Sequence, residues 1–232
     1  MTIPEEPLPF LPFKDRSEAG QLLASSLQVY ASHRPVILAI PTGGVPVAYE
    51  VACALGAPLD VVMVRKIRYP GHEHSNLGAV IDGGASRWVV NQEAIDLVDP
   101  PAGWFAAERD RQLAEIVRLR RLYCGERPLV PLRNRTVIVV DEGVTTGASA
   151  RVVLASLMEV SPEHLVFATP IGAQKPMEAI RKLADSVVCL AAPTPFESIA
   201  RHYRNFAPVS DQCVSELIQR AVALAAGEST MH

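Results

Sequence analysis

Short apolar runs rich in valine and isoleucine recur along the chain, with helix-like segments between them. Runs of about four to eight such residues are typical of strands buried on both faces, and such strands occur mainly in parallel sheets. Strands that alternate with helices predict a sheet whose faces are covered by helices. The five runs are residues 36–40, 60–67, 137–140, 165–168 and 186–190. We therefore predict an α/β fold with a mainly parallel sheet.

The segments between the runs place apolar residues at helical spacing. Asp15 and Glu18 are spaced as a capping box, and Gly56 and Gly125 follow two other segments as C-terminal caps. Residues 68–86 are rich in glycine and contain few large apolar side chains, so we predict a long loop with at most a short hairpin. Helices are predicted over residues 15–33, 45–56, 102–124, 148–160 and 176–184.

Length and composition bound the class of protein. The 232 residues fit one domain, and a hydrophobic fraction of 49% is enough for a substantial core. A net charge of −3 gives no basic field for nucleic acid or an acidic membrane, so we expect small molecules as partners. The four cysteines form no C-x-x-C pair, and no apolar run approaches the ~18 residues of a membrane span. We expect a soluble cytoplasmic protein, with a proline-rich arm at residues 1–12 and a single domain at residues 13–232.

Three segments with glycine or charged residues follow predicted strands. They are PTGG at residues 41–44, RKIR at residues 65–68 and DEGVTTGAS at residues 141–149. In open parallel sheets, ligands bind beyond the carboxyl ends of the strands. We therefore expect the three segments to converge on one site.

The segment DEGVTTGAS is the most informative of the three. The hydroxyl groups of Thr145, Thr146 and Ser149 can donate hydrogen bonds, and the N–H groups that open the next helix attract an anion such as phosphate. The segment has neither the Gly-Lys-Ser/Thr of a nucleoside-triphosphate loop nor G-x-G-x-x-G. Because Asp141 and Glu142 would repel a phosphate in direct contact, we expect them to face a sugar diol of the same ligand, or a metal.

The run VIVV-DE-GV-TTGAS resembles the phosphoribosyl-pyrophosphate motif of the type I phosphoribosyltransferases. That motif has four apolar residues, two acids, two spacers and then Thr-Gly with a small or hydroxyl residue. The stretches IPTGGVPVAYEVACALGAPLDVVMVRKI and VVCLAAPTPFESIARHYRNFAPVSD are similar to a bacterial group of this family whose substrate is poorly defined, and the similarity covers roughly residues 13–217. It implies a type I phosphoribosyltransferase-like fold with a small hood from terminal segments, here about residues 191–215.

The resemblance also implies roles by position. Asp141 and Glu142 would bind the ribose 2′- and 3′-hydroxyls, and the loop after them would hold the 5′-phosphate. The turn after the first strand would offer backbone amides to pyrophosphate and often contains a non-proline cis peptide, while the loop at residues 68–84 takes the place of the mobile catalytic loop. Arg65 and Lys66 would lie near pyrophosphate; since one of two strand neighbours must face away, Lys66 is favoured. The other implied binding residues are Thr145, Thr146, Gly147, Ala148 and Ser149 in the phosphate loop and Thr42, Gly43 and Gly44 in the turn.

The implied reaction displaces pyrophosphate from C1′ of ribose through a transition state with oxocarbenium character. It needs stabilisation of the leaving group, which Mg²⁺ and Lys or Arg supply. We expect Mg²⁺ to be carried mainly by the substrate, with Asp141 or Glu142 reaching it through water, and no metal site built from protein side chains alone. The resemblance implies phosphoribosyl pyrophosphate and a small nitrogenous acceptor as ligands, and a homodimer.

Three positions depart from the family pattern. Thr42 stands where the bacterial group commonly has arginine, so the turn lacks one positive charge. Thr145 stands where hypoxanthine-type enzymes carry an aspartate that faces the purine, which argues against hypoxanthine or guanine as the acceptor. Glu142 replaces the second of two aspartates, which preserves the charge but moves the carboxylate by one methylene.

The acceptor is not identified by any motif. Tyr203 and Phe206 in the predicted hood are candidates for stacking on it. The leading hypothesis is a phosphoribosyltransferase. The charge missing at Thr42 leaves open a regulator that binds the same ligand with little catalysis, and an enzyme that hydrolyses phosphorylated ribose is disfavoured because no metal cage or nucleophile is evident.

Overall fold

A computed structural model describes residues 11–72, 75, 77–82 and 87–228. Its strands are β1 Val36–Ala39, β2 Leu59–Val61, β3 Val64–Ile67, β4 Gly78–Ile81, β5 Arg87–Val90, β6 Thr136–Val140, β7 His164–Ile171 and β8 Ser186–Ala191. Five of them form a parallel sheet in the order β2-β1-β6-β7-β8. The strands β3, β4 and β5 form a separate antiparallel sheet, called the small sheet below. The predicted α/β fold with a mainly parallel sheet is confirmed.

The α-helices are α1 Arg16–Leu27, α2 Gly44–Leu55, α3 Gln92–Val98, α4 Trp104–Cys124, α5 Ala148–Met158, α6 Gln174–Ile180 and α7 Asp211–Glu228. The caps agree with the sequence: Asp15 accepts a hydrogen bond from the Glu18 N–H at 3.0 Å, and Gly56 ends α2 with a φ of 59°. A 3-10 helix, Gln28–His33, continues α1. The sequence patterns did not predict α3 or α7. Among the described helices, none combines the length and apolarity that crossing a bilayer would require.

The parallel sheet separates two apolar layers. Ile37 and Ala39 of β1 face a core built with α1, α2, α4 and α7, whereas Val36 and Leu38 face a second core built with α5. Every residue of β1 and β6 is buried. Apart from Thr136 at the start of β6, both strands are apolar, because both of their faces are covered.

The direction of winding reverses between β1 and β6. From β1 the chain passes through α2 to β2 on one side, and from β6 it passes through α5 to β7 on the other. Such a reversal leaves a crevice at the carboxyl ends of the two central strands. The segments PTGG and DEGVTTGAS follow these two strands, so the topology brings them together as predicted.

The apolar run at residues 60–67 is two strands rather than the one predicted. Val62 and Met63 leave the parallel sheet after β2 and lead into β3 of the small sheet. Both are buried, at 1% and 3% exposure, so the apolar pattern continues through the break and does not reveal it. The segment RKIR consequently starts on the small sheet and not on the parallel sheet.

The predicted long loop at residues 68–86 also contains regular structure. The strand β4 pairs with β3 as an antiparallel hairpin, and β5 extends that hairpin to three strands. Leu77, Val80 and Ile81 are buried in it. Within the predicted loop, Glu73, His74, Asn76 and residues 83–86 lie outside the described residues.

A small hood forms over the ends of β7 and β8 from both terminal parts of the chain. The Phe13 N–H donates to His202 O at 2.9 Å, and the Arg204 N–H donates back to Phe13 O at 2.8 Å. Phe13 and Tyr203 are buried together against Ile171. Residues 1–10 of the predicted arm lie outside the described residues, and α7 takes the last positions of the predicted hood into a helix that packs in the main core.

Candidate functional site

The turn PTGG lies directly against the acid pair. The Ile40 N–H donates to Val140 O at 2.9 Å, which fixes the end of β1 on the end of β6. A Cβ added to Gly44 would lie 2.8 Å from Val140 O, and a Cβ at Gly43 would collide with the carboxyl group of Glu142. The close approach of the two segments therefore requires glycine at both positions. The Pro41–Thr42 peptide is cis, as the resemblance implied.

Asp141, like Glu142, is partly buried. Its Oδ1 accepts a hydrogen bond from the Glu142 N–H at 2.8 Å, and its own N–H donates to Ala168 O at 3.2 Å. Burial, together with the charge of Glu142, raises the pKa of the Asp141 carboxyl group to about 7. This carboxyl group is therefore close to half-ionised at neutral pH, which is a property of groups that handle charge in a site.

Glu142 is held by residues from two other parts of the chain. Its Oε2 accepts a hydrogen bond from Arg16 Nε in an ion pair, and its backbone carbonyl accepts one from the Tyr203 hydroxyl group at 2.6 Å. Arg16 lies in the first turn of α1, and Tyr203 lies in the hood. These two contacts hold Glu142 at the edge of the turn PTGG.

The loop after the acid pair surrounds a concave site of about 120 Å³ at the start of α5. Gly147 has a φ of 68°, a left-handed conformation that places it as the N-cap of the helix. Thr145 and Thr146 are exposed, and Thr146 Oγ1 accepts from the Ala148 N–H at 3.4 Å. The predicted phosphate-loop residues thus line one small concavity at a helix N-terminus, where backbone N–H groups favour an anion. They are Thr145, Thr146, Gly147, Ala148 and Ser149.

Arg65 and Lys66 point to opposite faces of the small sheet, since neighbours on a strand alternate. Arg65 Nε donates to Gln112 Oε1 at 2.9 Å and so faces α4. Lys66 lies on the other face and is partly buried, and burial, with the charge of Arg68, lowers the pKa of its ammonium group. Arg65 is therefore engaged with α4, and contact of Lys66 with an anion stays a prediction.

The two aromatic residues proposed for acceptor stacking lie in the hood beside the acid pair. Tyr203 is 5% exposed and packs between Phe13 and Phe206, at centroid distances of 5.4 and 5.2 Å. The Arg16 guanidinium group lies over the Phe206 ring at 4.1 Å. Stacking of either ring on an acceptor stays a prediction. In the structure, Tyr203 contacts Glu142 and Phe206 contacts Arg16.

Arg16 is the residue of this site that the sequence patterns did not identify. The capping box at Asp15 and Glu18 located the helix start, and a cation in the first turn opposes the helix dipole. An arginine at this unfavourable position was the available sign of a tertiary role, although it does not identify Glu142 as the partner. Within the described part of the chain, no group of three or more His, Cys, Asp or Glu side chains could hold a metal ion.

Comparison with known proteins adds to this geometry. A family model described as a phosphoribosyl transferase domain matches residues 16–202. Two proteins of Mycobacterium tuberculosis, from strains CDC 1551 and H37Rv and each named "Putative phosphoribosyl transferase", are 36% identical over 209 residues. The match covers 90% of this chain and 47% of each relative, so the chain spans about half the length of these relatives.

The fold also matches a solved structure. The crystal structure of TT1426 from Thermus thermophilus is similar with a TM-score of 0.74 and 35% sequence identity. The alignment covers 90% of this chain and 98% of that one.

Proposed function

Because the chain belongs to the phosphoribosyl transferase family, we propose that it binds phosphoribosyl pyrophosphate and transfers the phosphoribosyl group to a nitrogenous acceptor, or runs the reverse reaction. One observation carries the proposal. A carboxylate pair, a hydroxyl-rich loop at a helix N-terminus and a glycine turn meet at the reversal between β1 and β6. A ligand with a phosphate, a diol and a second anionic group matches these three parts.

Each part has a role that follows from its chemistry. The loop from Thr145 to Ser149 would hold the 5′-phosphate with hydroxyl groups and helix N–H groups. Asp141 and Glu142 would accept hydrogen bonds from the ribose hydroxyls. The backbone of the turn PTGG, with Lys66 from the small sheet, would take the pyrophosphate.

The chemical step breaks the bond between C1′ and the pyrophosphate oxygen, and the electron pair leaves with pyrophosphate. A nitrogen lone pair of the acceptor forms the new bond to C1′. Protein groups contribute by holding the two ends of the ribose and by stabilising charge on the leaving group, which is electrostatic catalysis. No protein nucleophile is required.

Mg²⁺ fits this site as an ion carried mainly by the ligand. The acid pair offers the carboxylate oxygens that Mg²⁺ prefers, and Asp141 or Glu142 would reach it through water. When bound, the ion would neutralise charge on pyrophosphate.

We further propose that the protein acts as a homodimer in the cytoplasm.

The position of Thr145 supports an acceptor other than hypoxanthine or guanine. Its side chain is an exposed, uncharged group, where hypoxanthine-type enzymes place a carboxylate toward the purine.

A second candidate function is a regulator that binds phosphoribosyl pyrophosphate with little turnover. Two observations favour it: Thr42 supplies no charge to the turn, and Glu142 is already paired with Arg16.

Calorimetry with phosphoribosyl pyrophosphate, with and without Mg²⁺, tests the binding. We expect saturable binding, and its absence at about millimolar ligand, where even weak binding of ~4 kcal/mol is detected, would reject the proposal. A panel of bases with detection of released pyrophosphate then separates the two candidates. Release with any base identifies a transferase, and binding without release identifies the regulator. Release of inorganic phosphate without an acceptor would instead indicate hydrolysis.

The raised pKa of Asp141 predicts a pH dependence of stability. Between the unfolded-state pKa of about 4 and the folded-state value of about 7, the native carboxyl group holds a proton that the unfolded chain has released. The contribution of Asp141 to the free energy of unfolding should therefore fall as pH rises through this window, by at most about 1.4 kcal/mol per pH unit, and level off above pH 7.

Urea unfolding of the wild type and of Asp141→Asn at several pH values from about 4 to 8 measures this effect. Subtracting the two profiles removes the histidines and other groups that both proteins share. The stability of the variant relative to wild type should rise up to about pH 7 and then stay constant. Parallel profiles would show that Asp141 has an ordinary pKa.

A further inference from the structure

Arg16 is fixed in the site by contacts to two other segments of the chain. In addition to its ion pair with Glu142, its Nη1 donates to Ala207 O at 2.9 Å, and its guanidinium group stacks on Phe206. The side chain is 10% exposed. A guanidinium group that is this buried loses much of its hydration and needs an anionic partner.

The helix that carries Arg16 is held firmly on the helix that starts at the turn PTGG. Ser17 Oγ donates to Glu50 Oε1 at 2.5 Å, and a Cβ added to Gly20 would lie 2.7 Å from Val47 O. This close packing of α1 on α2 fixes the position of Arg16 relative to the turn. Since a cation in the first turn of a helix opposes the dipole, the placement of Arg16 serves its partner rather than the helix.

The carboxylate of Glu142 lies over the turn. A Cβ at Gly43 would collide with its carboxyl carbon and both oxygens, so the carboxylate rests on the backbone of that glycine. An anion on the turn, paired with a guanidinium group, is the arrangement that a pyrophosphate oxygen would make there. The carboxylate of Glu142 therefore occupies a place suited to an anionic ligand.

On the basis of the proposed function, we propose that Arg16 is a pyrophosphate-binding residue. Until pyrophosphate binds, the carboxylate of Glu142 occupies the position beside Arg16 that pyrophosphate would take. Pyrophosphate displaces Glu142 from Arg16, and the released carboxylate becomes available to the ribose hydroxyls. Arg16 thus supplies, from α1, the positive charge that Thr42 does not supply from the turn.

The charges favour direct replacement of Glu142 by pyrophosphate at Arg16 over breaking of the ion pair before the ligand arrives. Arg16 would be costly to leave without an anion in its buried position, and it has one at every stage of the exchange. Glu142 trades one charge-assisted contact for others to the ribose hydroxyls. One displacement would therefore link the pyrophosphate half of the site to the ribose half.

The test measures two ligands separately, because each reports one half of the exchange. Calorimetry is performed with inorganic pyrophosphate and with ribose 5-phosphate on wild type and Arg16→Ala. We expect the variant to bind pyrophosphate about tenfold more weakly, since one charged contact is lost, and to bind ribose 5-phosphate about threefold more tightly, since Glu142 is released. Opposite signs are the distinctive result, because a general structural defect would weaken both.

Arg201→Ala is the matched control. Arg201 is also in the hood region, but its side chain is exposed and pairs with Glu197 rather than with the acid pair. Its replacement should leave both affinities unchanged. If Arg16→Ala does not fold, as judged by its thermal melt, Arg16→Met removes both the charge and the donor to Glu142 while keeping most of the side-chain length, and gives the same comparison.

The outcomes separate the two proposals. If wild type binds both ligands and the Arg16 variants weaken both or change neither, the exchange is wrong while the phosphoribosyl site stands. If wild type binds neither ligand, the phosphoribosyl site itself is wrong and the exchange fails with it. If pyrophosphate weakens and ribose 5-phosphate tightens, Arg16 and Glu142 compete as proposed.

Discussion

Replacement of Asp141 by asparagine together with Glu142 by glutamine should weaken the binding of ribose 5-phosphate by about two orders of magnitude. Each carboxylate would accept a charge-assisted hydrogen bond from the ribose, and each such bond contributes about 1.5 kcal/mol or more. Two of them correspond to roughly a hundredfold in affinity. The amides keep the size of both side chains, and the glutamine oxygen can still accept from Arg16.

Calorimetry with ribose 5-phosphate and 2-deoxyribose 5-phosphate makes this result specific to the diol. Wild type should prefer the ribose ligand, and the double variant should lose most of that preference. Inorganic phosphate provides the internal control, because the loop from Thr145 to Ser149 is unchanged and the double variant, with two repelling charges removed, should bind it at least as tightly as wild type. A double variant that retains the full preference for ribose would show that the acid pair does not contact the diol.

Replacement of Arg120 by alanine should lower the free energy of unfolding by about 3 to 5 kcal/mol, the usual cost of breaking a buried ion pair. Arg120 Nη2 lies 3.0 Å from Asp60 Oδ2, and its Nη1 lies 2.9 Å from Asp82 Oδ2. Both carboxylates are almost fully buried, at 2% and 9% exposure. Burial also raises the pKa of Asp82, against the effect of Arg120.

Arg120 matters to the site because it joins the two sheets. Asp60 belongs to β2 of the parallel sheet, Asp82 follows β4 of the small sheet, and Arg120 reaches both from α4. Its loss should loosen the small sheet, which carries Lys66. We therefore expect weaker pyrophosphate binding along with the loss of stability.

Chemical unfolding of Arg120→Ala measures the change, and Arg118→Ala on the same helix is the control. Arg118 pairs with Glu115 three positions away on an exposed surface, so its replacement should leave the free energy of unfolding almost unchanged. An Arg120 variant as stable as the Arg118 variant would show that the buried carboxylates find other partners, such as Arg127, which lies 3.4 Å from Asp60 Oδ1.

The sequence predicted the parts of the fold and site that are encoded over a few consecutive residues. Strand β6 and the loop after it were predicted correctly because a run of β-branched residues ends in acids, glycine and hydroxyl groups within one short segment. The position of PTGG beside this loop followed from the rule that parallel strands end at the same edge. Local periodicity misled where burial continued through a change of sheet, as at Val62 and Met63.

By itself, then, the sequence determined the α/β class and the place of the acid pair and its loop at the end of a buried strand, because these depend on local pattern and chemistry. Only the tertiary structure decided which charges meet. Arg16 and Glu142 are 126 positions apart, and Arg120 and Asp60 are 60 apart. No periodicity connects residues at such separations, since their contact arises from the packing of α1 on α2 and of α4 on the two sheets. That packing places the guanidinium group of Arg16 beside the turn PTGG, in which Thr42 carries no charge.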